Sequence, residues 1–278
     1  MDIRITTVSE NTAGMGSLLG EWGLSILVEA DGANVLLDTG MDISACYNVD
    51  RLDIDLDKIN KIVLSHGHYD HTGGLRPLLM KMRRKVEIIA HPDVWAAKYA
   101  RREGKPDRYI GIPFQRRELE SLGAVFNLTA SPVLITGNVM TTGEVPMTTG
   151  YEQVDSYLYI KDGNTWKPDS FPDDQALIIN TEEGLVVVLG CAHRGAINTL
   201  YHAQKLTGVK SIHTVIGGSH LIDTTEERLE ATIAALKDLK VQRLGFCHCT
   251  SLPVITWMAH EFGDSFFFNV AGTVVELP

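Results

Sequence analysis

The chain has 278 residues, of which 44% are hydrophobic and 22% charged, and its formal net charge is −10 at pH 7. This composition is typical of a globular protein with a substantial core, and it excludes a disordered chain, a collagen and a small disulfide scaffold. The acidic excess provides no net field to attract nucleic acid. The longest apolar runs fall far short of the roughly 18 residues needed for a membrane span.

The N-terminal segment, residues 1–10, is predicted to be a first strand and not a signal peptide, because it has neither a basic flank nor an apolar core segment. We therefore expect a cytoplasmic protein without nucleic-acid or membrane partners. The four cysteines form no CxxC pair and are expected to be reduced.

The first 120 residues alternate between strand-like and helix-like patterns, which indicates an α/β fold. Three strands come first, and a hairpin turn at Asp31-Gly32 joins the second to the third. The pattern then predicts a buried strand at 61–66, a helix at 73–85, a strand at 86–91 and a helix at 92–104 with a proline in its first turn.

A β-rich and loop-rich insert near 145–172 interrupts this alternation, which resumes with a hairpin about Glu183-Gly184. A helix at 224–240 starts with a capping box from Thr224 to Glu227. The other predicted elements are helices at 195–208 and 253–262 and strands at 210–220, 243–248 and 266–277. Because no low-complexity linker divides the chain, residues 1–278 are expected to form a single domain.

Five apolar strand-like runs each end in a histidine, namely His66, His91, His193, His220 and His248. In layered α/β folds, ligands collect outside the carboxyl ends of strands. Several of these histidines are therefore expected to converge on one site.

The segment HGHYDH, residues 66–71, carries most of the chemical information. If it is extended, alternate side chains face the same side, which places His66, His68 and Asp70 together. His71 reaches the same place from the end of the segment. Neutral imidazoles and carboxylates are good ligands for zinc and other divalent ions, so this cluster predicts a metal site. Asp70, or solvent bound to it, is the candidate for proton transfer during catalysis.

More ligands are needed from elsewhere in the chain, and His193 and His248 are the best candidates. Asp38 is better placed to orient a ligand histidine than to bind the metal itself. Cys191 is also assigned a supporting position. Its thiolate could bind a soft metal, whereas a cysteine buried in a strand would be inert packing.

Candidate substrate contacts lie at the end of the strand at 210–220. His220 could touch the substrate, and the backbone N–H groups of Gly217 and Gly218 could hold a phosphate, with an ordinary tight turn as the equal alternative. In the insert, four aromatic residues could pack on a substrate ring, namely Tyr151, Tyr157, Tyr159 and Trp166.

HGHYDH resembles the HxHxDH signature of the metallo-β-lactamase superfamily, and the upstream LLDTG at 36–40 and the two strand-terminal histidines follow the superfamily's order. The resemblance implies a four-layer αββα sandwich with a metal pair at the edge of its two sheets. It assigns His66, His68 and His193 to one ion and Asp70, His71 and His248 to the other. Zinc is the first choice, and iron, manganese and magnesium are alternatives.

The sequence departs from the superfamily's usual pattern in two places. The loop that usually carries a further histidine reads TTGEVP at 141–146, and the usual bridging aspartate falls where this chain has GCAH at 190–193. One or two metal ions are therefore expected.

Short segments at 21–25, 65–75, 190–195, 216–221 and 247–250 resemble a narrower group, the 7,8-dihydropterin-6-methyl-4-(β-D-ribofuranosyl)-aminobenzene-5'-phosphate synthase family and related metal-dependent hydrolases. This resemblance implies an enzyme that acts on an anionic, phosphorylated, pterin-like or nucleotide-like small molecule, by hydrolysis or by transfer with loss of diphosphate. One alternative is a simple hydrolase of esters, lactones or phosphodiesters. Another is an iron-binding redox or sensing protein that uses Cys247-His248-Cys249. Oxygen-reducing relatives generally have Glu where this chain has His68, which argues against the redox function.

Overall fold

The computed structural model describes residues 2–278. Its first half contains β1 (Ile3–Ser9), β2 (Ser25–Ala30), β3 (Ala33–Leu37), α1 (Ser44–Arg51), β4 (Lys61–Val63), α2 (Tyr69–Thr72), α3 (Leu75–Met82), β5 (Val86–Ala90), β6 (Lys98–Ala100), β7 (Arg108–Tyr109), α4 (Arg116–Ser121), β8 (Ala124–Leu128) and β9 (Val139–Thr141). Within residues 2–278, no helix combines the length and the apolar character that crossing a membrane would require.

The second half contains β10 (Leu158–Asp162), β11 (Thr165–Pro168), β12 (Ala176–Thr181), β13 (Gly184–Leu189), α5 (Ala196–Thr207), β14 (Ile212–Gly218), α6 (Glu226–Asp238), β15 (Arg243–Cys247), α7 (Leu252–Phe262) and β16 (Val274–Leu277). Single 3-10 turns lie at Leu56–Lys58, Pro92–Trp95, His248–Thr250 and Gly263–Ser265.

Two large sheets face each other, and helices cover their outer sides. The first has the order β16-β1-β2-β3-β4-β5-β8, and the second has the order β15-β14-β13-β12-β9. One apolar cluster fills the space between the sheets, a second lies under α1, α3 and α4, and a third lies under α5, α6 and α7. The predicted four-layer αββα sandwich is confirmed.

Strand direction determines where the loops meet. β3 and β4 are parallel in the first sheet, and β13, β14 and β15 are parallel in the second. The carboxyl ends of parallel strands in a sheet lie at the same edge, so the segments that follow these five strands can gather into one site.

Both predicted hairpins are confirmed. Asp31 and Gly32 have φ angles of 50° and 74°, as a tight turn between β2 and β3 requires. β12 and β13 form the second hairpin, in which Thr181 pairs with Gly184.

Three local predictions are wrong. The segment 92–104 is a 3-10 turn followed by β6 and not a helix, because β6 pairs with β7 and β10. The N-cap of α6 is Thr225, whose hydroxyl accepts from the N–H of Arg228, and not Thr224. The last strand is confined to Val274–Leu277. The phenylalanines before it pack elsewhere, and Phe267, for example, lies closely over Gly245.

The predicted insert forms half of a third, smaller sheet with the order β11-β10-β6-β7. β10 and β11 come from the insert, but their partner strands come from residues 98–109. The sequence pattern did not reveal this pairing, which joins segments about 60 residues apart.

A buried ion cluster ties this small sheet to the larger structure. The ammonium group of Lys98, in β6, lies 2.7 Å from Oδ2 of Asp169 and 2.9 Å from Oδ1 of Asp173. Burial alone would lower the pKa of Lys98, but the two carboxylates raise it, so Lys98 stays charged. Asp173 also accepts from the N–H of Gly67, at 2.8 Å, and so connects the cluster to the HGHYDH segment.

Replacing Lys98 with Met should destabilise the protein by ~3–5 kcal/mol, because two carboxylates would remain buried without a cation. Urea unfolding followed by circular dichroism measures this change. Lys167→Met is the matched control, since Lys167 forms an ion pair with Asp162 at the exposed surface and its loss should change stability little. Equal effects of the two substitutions would contradict the role assigned to Lys98.

Candidate metal centre

The candidate site lies where five strands end. Asp38 follows β3, His66 follows β4, His193 follows β13, His220 follows β14 and His248 follows β15. The predicted convergence of strand-terminal histidines therefore holds for four of the five. His91 instead begins the 3-10 turn, where its Nδ1 accepts from the N–H of Asp93.

The HGHYDH segment is not an extended strand, because residues 65–67 form a bend and His68, with φ −81° and ψ 148°, leads directly into a helix. Tyr69 begins the short helix α2, so Asp70 lies on a helical turn and not on the extended segment that was predicted, and His71 lies on the same turn. The helical turn directs these two side chains to a second group of donors. Gly67 allows the close packing of this loop, since a Cβ at that position would lie 2.1 Å from the carbonyl oxygen of Val94.

The buried donors form two triads. In the first triad, one donor atom from each of three histidines lies within 4.8 Å of the others, and the second triad meets the same limit with an aspartate and two histidines. The members of the first triad are His66, His68 and His193, and those of the second are Asp70, His71 and His248. These are the two sets that the superfamily resemblance assigns to two ions.

Asp38 fixes how two of these histidines present their nitrogens. Its Oδ1 accepts from the N–H of Ser65 at 2.7 Å, and its Oδ2 accepts from the Ser65 hydroxyl and from Nδ1 of His71, both at 2.6 Å. Since the hydroxyl proton of Ser65 goes to Asp38, its oxygen accepts from Nδ1 of His66, 2.9 Å away. Both imidazoles are thereby protonated on Nδ1, and their Nε2 atoms face the site.

The ring nitrogens that face the site are better arranged to bind a cation than to hydrogen-bond with one another. Nε2 of His68 and Nε2 of His248 are buried and have no hydrogen-bond partner, while Nε2 of His66 lies only 3.2 Å from Nε2 of His193. Unpartnered buried polar atoms are costly, and one divalent ion in each triad would satisfy these nitrogens.

The pKa shifts agree with a site for positive charge. Burial lowers the pKa of His66, His68 and His193 well below the usual value, so these imidazoles remain neutral ligands. Burial alone would also lower the pKa of His71, but the carboxylates of Asp38 and Asp70 raise it to about 9. Without a metal, His71 therefore holds a proton that an arriving cation would displace.

Backbone strain is concentrated around these donors. Among residues 2–278, ten non-glycine residues have a positive φ, and five of them surround the site: Asp38, Phe171, Ala192, His220 and His248. A left-handed backbone is unfavourable for such residues and persists where the surrounding structure imposes it, often at functional sites.

The ring of His193 is held between two neighbours. Phe171 stacks on it with ring centres 4.0 Å apart and an interplanar angle of 18°, and the His220 ring lies at the same distance on a tilted plane. The second carboxylate of the Asp173-Asp174 pair accepts from the N–H of Arg194 at 2.9 Å and fixes the backbone beside His193.

A cavity of about 770 Å³ opens onto the donors. On its inner side lie His68, Asp70, Cys191, His193 and His220. The outer wall carries three cations, Arg102, Lys105 and Arg108, and three aromatic rings, Trp22, Tyr69 and Tyr157. It also carries two carboxylates, Asp107 and Asp223, each of which pairs with an arginine. Of the four aromatic residues that the sequence analysis singled out in the insert, only Tyr157 lines this cavity.

Gly217 and Gly218 are not in a turn but inside β14, where both are buried. The N–H of Gly218 donates to the carbonyl oxygen of Gly190 and is not available to a phosphate. A Cβ at Gly217 would lie 2.1 Å from the carbonyl oxygen of Leu189, so these glycines allow close packing of β14 against the end of β13.

Sequence reasoning missed Ser65 and two cations of the cavity wall, Lys105 and Arg108, whereas the basic pair at 101–102 was a candidate for steering an anionic small molecule. Ser65 adjoins the HGHYDH segment, but its hydrogen bond to Asp38 depends on the pairing of β3 with β4. Arg102 and Lys105 reach the cavity from the loop between β6 and β7, and Arg108 reaches it from the start of β7. The sequence pattern placed Arg102 in a helix at 92–104 and the other two after it.

A family model described as the metallo-β-lactamase superfamily matches residues 23–202. The chain belongs to this superfamily. Divalent metals are the cofactors of its members, and the donor triads described above provide groups that could hold them.

Relatives of known name span almost the whole chain. A Methanocaldococcus jannaschii protein named 7,8-dihydropterin-6-methyl-4-(β-D-ribofuranosyl)-aminobenzene-5'-phosphate synthase is 30% identical and covers 99% of this chain and 97% of its own. A crystal structure described as a metal-dependent hydrolase of the β-lactamase superfamily covers 99% of both chains, with a TM-score of 0.86 and 26% identity. A diphosphatase structure is 16% identical, with a TM-score of 0.56 over 100% of this chain and 98% of its own, and shows the fold alone. Family membership and the relative named as a synthase support an enzyme.

Asp38→Asn should weaken metal binding by about 10 to 100-fold, because an amide cannot accept hydrogen bonds on both side-chain atoms and the two histidines would lose their orientation. Competition with a chromophoric chelator measures the affinity. Asp42→Asn is the control, since Asp42 is exposed. Unchanged affinity in the folded Asp38→Asn protein would rule out this role.

Proposed function

We propose that this enzyme holds a pair of divalent ions, preferably zinc, and acts on a phosphorylated small molecule that carries a heteroaromatic ring. The observation that supports this most directly is the cavity itself, whose inner side carries metal donors and whose outer wall carries cations and aromatic rings. Ligand cavities typically combine an apolar or aromatic lining with a few polar groups placed for orientation.

The cations of the outer wall differ in how free they are to bind an anion. Arg102 already pairs with Asp223 at 2.8 Å and lies 3.9 Å over the ring of Tyr157. Lys105 and Arg108 are exposed, and within residues 2–278 neither forms a salt bridge. In a chain of net charge −10, two such cations at the mouth of one cavity favour an anionic substrate.

The metal donors favour zinc over magnesium. Five imidazoles and one carboxylate form the two triads, and imidazole suits zinc and iron, whereas magnesium prefers an all-oxygen shell. Divalent ions held by these donors supply Lewis acidity at a phosphoryl oxygen of the substrate.

Asp70 is the residue we assign to proton transfer. It lines the cavity, and its Oδ2 lies 3.4 Å from Nε2 of His248. Burial alone would raise the pKa of Asp70, but His71 and His248 lower it overall, so the carboxylate stays ionised and can accept a hydrogen bond from solvent in the site.

His220 is placed to contact the substrate beside the first triad. Burial lowers its pKa, and its Nδ1 lies 3.2 Å from Oδ2 of Asp155. A neutral imidazole held against the ring of His193 offers a hydrogen-bonding edge at the boundary between the metal donors and the open cavity.

The reaction we favour is a transfer with loss of diphosphate, since the relative at 30% identity is named for the synthesis of a product with a pterin, an aminobenzene ring and a phosphate. Hydrolysis of esters, lactones or phosphodiesters is the second candidate, because the structure at 26% identity is described as a metal-dependent hydrolase. Fold alone does not distinguish these chemistries.

Incubation of the zinc-loaded protein with pterin phosphates, phosphodiesters and lactones, with release of diphosphate and phosphate measured, tests the substrate class. Turnover of phosphorylated heterocycles supports the proposal, and release of diphosphate distinguishes transfer from hydrolysis. Turnover confined to uncharged lactones or esters, without inhibition by phosphorylated heterocycles, would leave only the simple hydrolase.

Replacing both Lys105 and Arg108 with Ala should raise KM for a phosphorylated substrate by about tenfold or more, since one charge-assisted hydrogen bond contributes ~1.5–3 kcal/mol. Steady-state kinetics measures KM, and kcat should change less because neither residue lies among the metal donors. Arg117→Ala serves as the control, because Arg117 is exposed in α4 and lies outside the cavity. A wild-type KM in the double variant would show that these cations do not bind the substrate.

A further inference from the structure

We infer that the thiolate of Cys191 is a ligand shared by both metal ions, joining the two triads. Its Sγ atom belongs to neither triad, yet it lies within 4.8 Å of donor nitrogens of His66, in the first, and of His71 and His248, in the second. This inference rests on the metal pair of the proposed function and assigns one more residue to it.

The backbone turns Cys191 into the site together with His193. β13 ends at Leu189, and the residue between Cys191 and His193, Ala192, has a φ of 53°. This left-handed residue turns the chain, and the side chains on its two sides both reach donor groups that contain His66. Cys191 is buried but forms part of the cavity wall, so an entering ion can reach it.

The neighbouring thiol, Cys249, has a different set of contacts. Its sulfur accepts from the N–H of His220 at 3.2 Å and lies 3.7 Å from the carbonyl oxygen of Cys191, to which it donates. The sulfur of Cys191 instead faces Nε2 of His71 at 3.0 Å, and the other nitrogen of that ring is held by Asp38. Cys249 lies in one donor group with Cys191 and His248, but its sulfur is already held by two backbone groups. The sulfur of Cys191 faces a ring nitrogen of His71, which Asp38 orients.

Charge balance favours a thiolate at this position. The two triads contain one anionic ligand, Asp70, against two divalent cations, and the five histidines are neutral when they bind metal. Buried charge is costly unless it is compensated, and a thiolate provides a second negative charge between the ions. On binding, the S–H bond breaks, the proton leaves to solvent, and sulfur lone pairs form the metal–sulfur bonds.

A shared thiolate also affects which metal ions the site can bind. Thiolate is a soft ligand that suits zinc and other late transition ions, and it is a poor ligand for magnesium. The pair should therefore form with zinc or cobalt and not with magnesium.

Titration of the metal-free protein with cobalt(II) tests this inference through the near-ultraviolet charge-transfer absorption that thiolate bound to cobalt produces. In the wild type, absorption should rise with the first equivalent and again with the second, because one sulfur bonds both ions. Cys191→Ala should lose this absorption, and Cys249→Ala, the matched control, should retain it.

Absorption that stops rising after one equivalent would overturn the sharing of the sulfur by both ions. Two bound cobalt ions without the charge-transfer band, or a band that persists in Cys191→Ala, would overturn the assignment of Cys191 altogether. The wild-type titration decides the first point even if the alanine variant does not fold. Binding of fewer than two ions would instead contradict the metal pair itself, and with it the proposed function.

Discussion

The carboxylate of Asp38 accepts hydrogen bonds from the N–H and the hydroxyl of Ser65 and from His71, although its side chain is completely buried. Burying an ionised carboxylate is costly, and three hydrogen bonds compensate for that cost. Asp38 accepts from Nδ1 of His71 directly and, through the Ser65 hydroxyl, fixes the proton of His66 on Nδ1. The Nε2 atoms of both rings therefore remain directed at the site. The arrangement of both donor triads depends on this one group.

Sheet topology places Asp38 where it can act. β3 and β4 are adjacent and parallel, so Asp38 and Ser65 lie side by side just after these strands end. The parallel strands of the second sheet place His193 and His248 in the same region. Close packing maintains the arrangement, because a Cβ at Gly190 would lie 2.0 Å from the hydroxyl oxygen of Ser65. The fold and the site are thus consequences of the same strand directions.

Local patterns in the sequence were sufficient for an α/β fold and for the six candidate donors, because strand periodicity and the HGHYDH spacing are short-range features. The four-layer arrangement and the division of the donors between two ions came instead from the resemblance to the superfamily signature. Local patterns were not sufficient where distant segments decide the structure. Residues 92–104 carry a helical pattern, but Lys98 lies in a strand and pairs with carboxylates more than 70 residues later. The position of Cys191 between the triads likewise depends on the left-handed backbone of Ala192. The sequence gives no sign of this conformation, because alanine rarely adopts a positive φ.

The most direct test is anomalous diffraction, recorded on both sides of the zinc absorption edge, from crystals of protein purified without added metal and then supplied with zinc. Two anomalous peaks are expected, one surrounded by His66, His68 and His193 and the other by Asp70, His71 and His248. An ordered structure with these side chains in place and no anomalous peak among them would contradict a metal centre organised by Asp38.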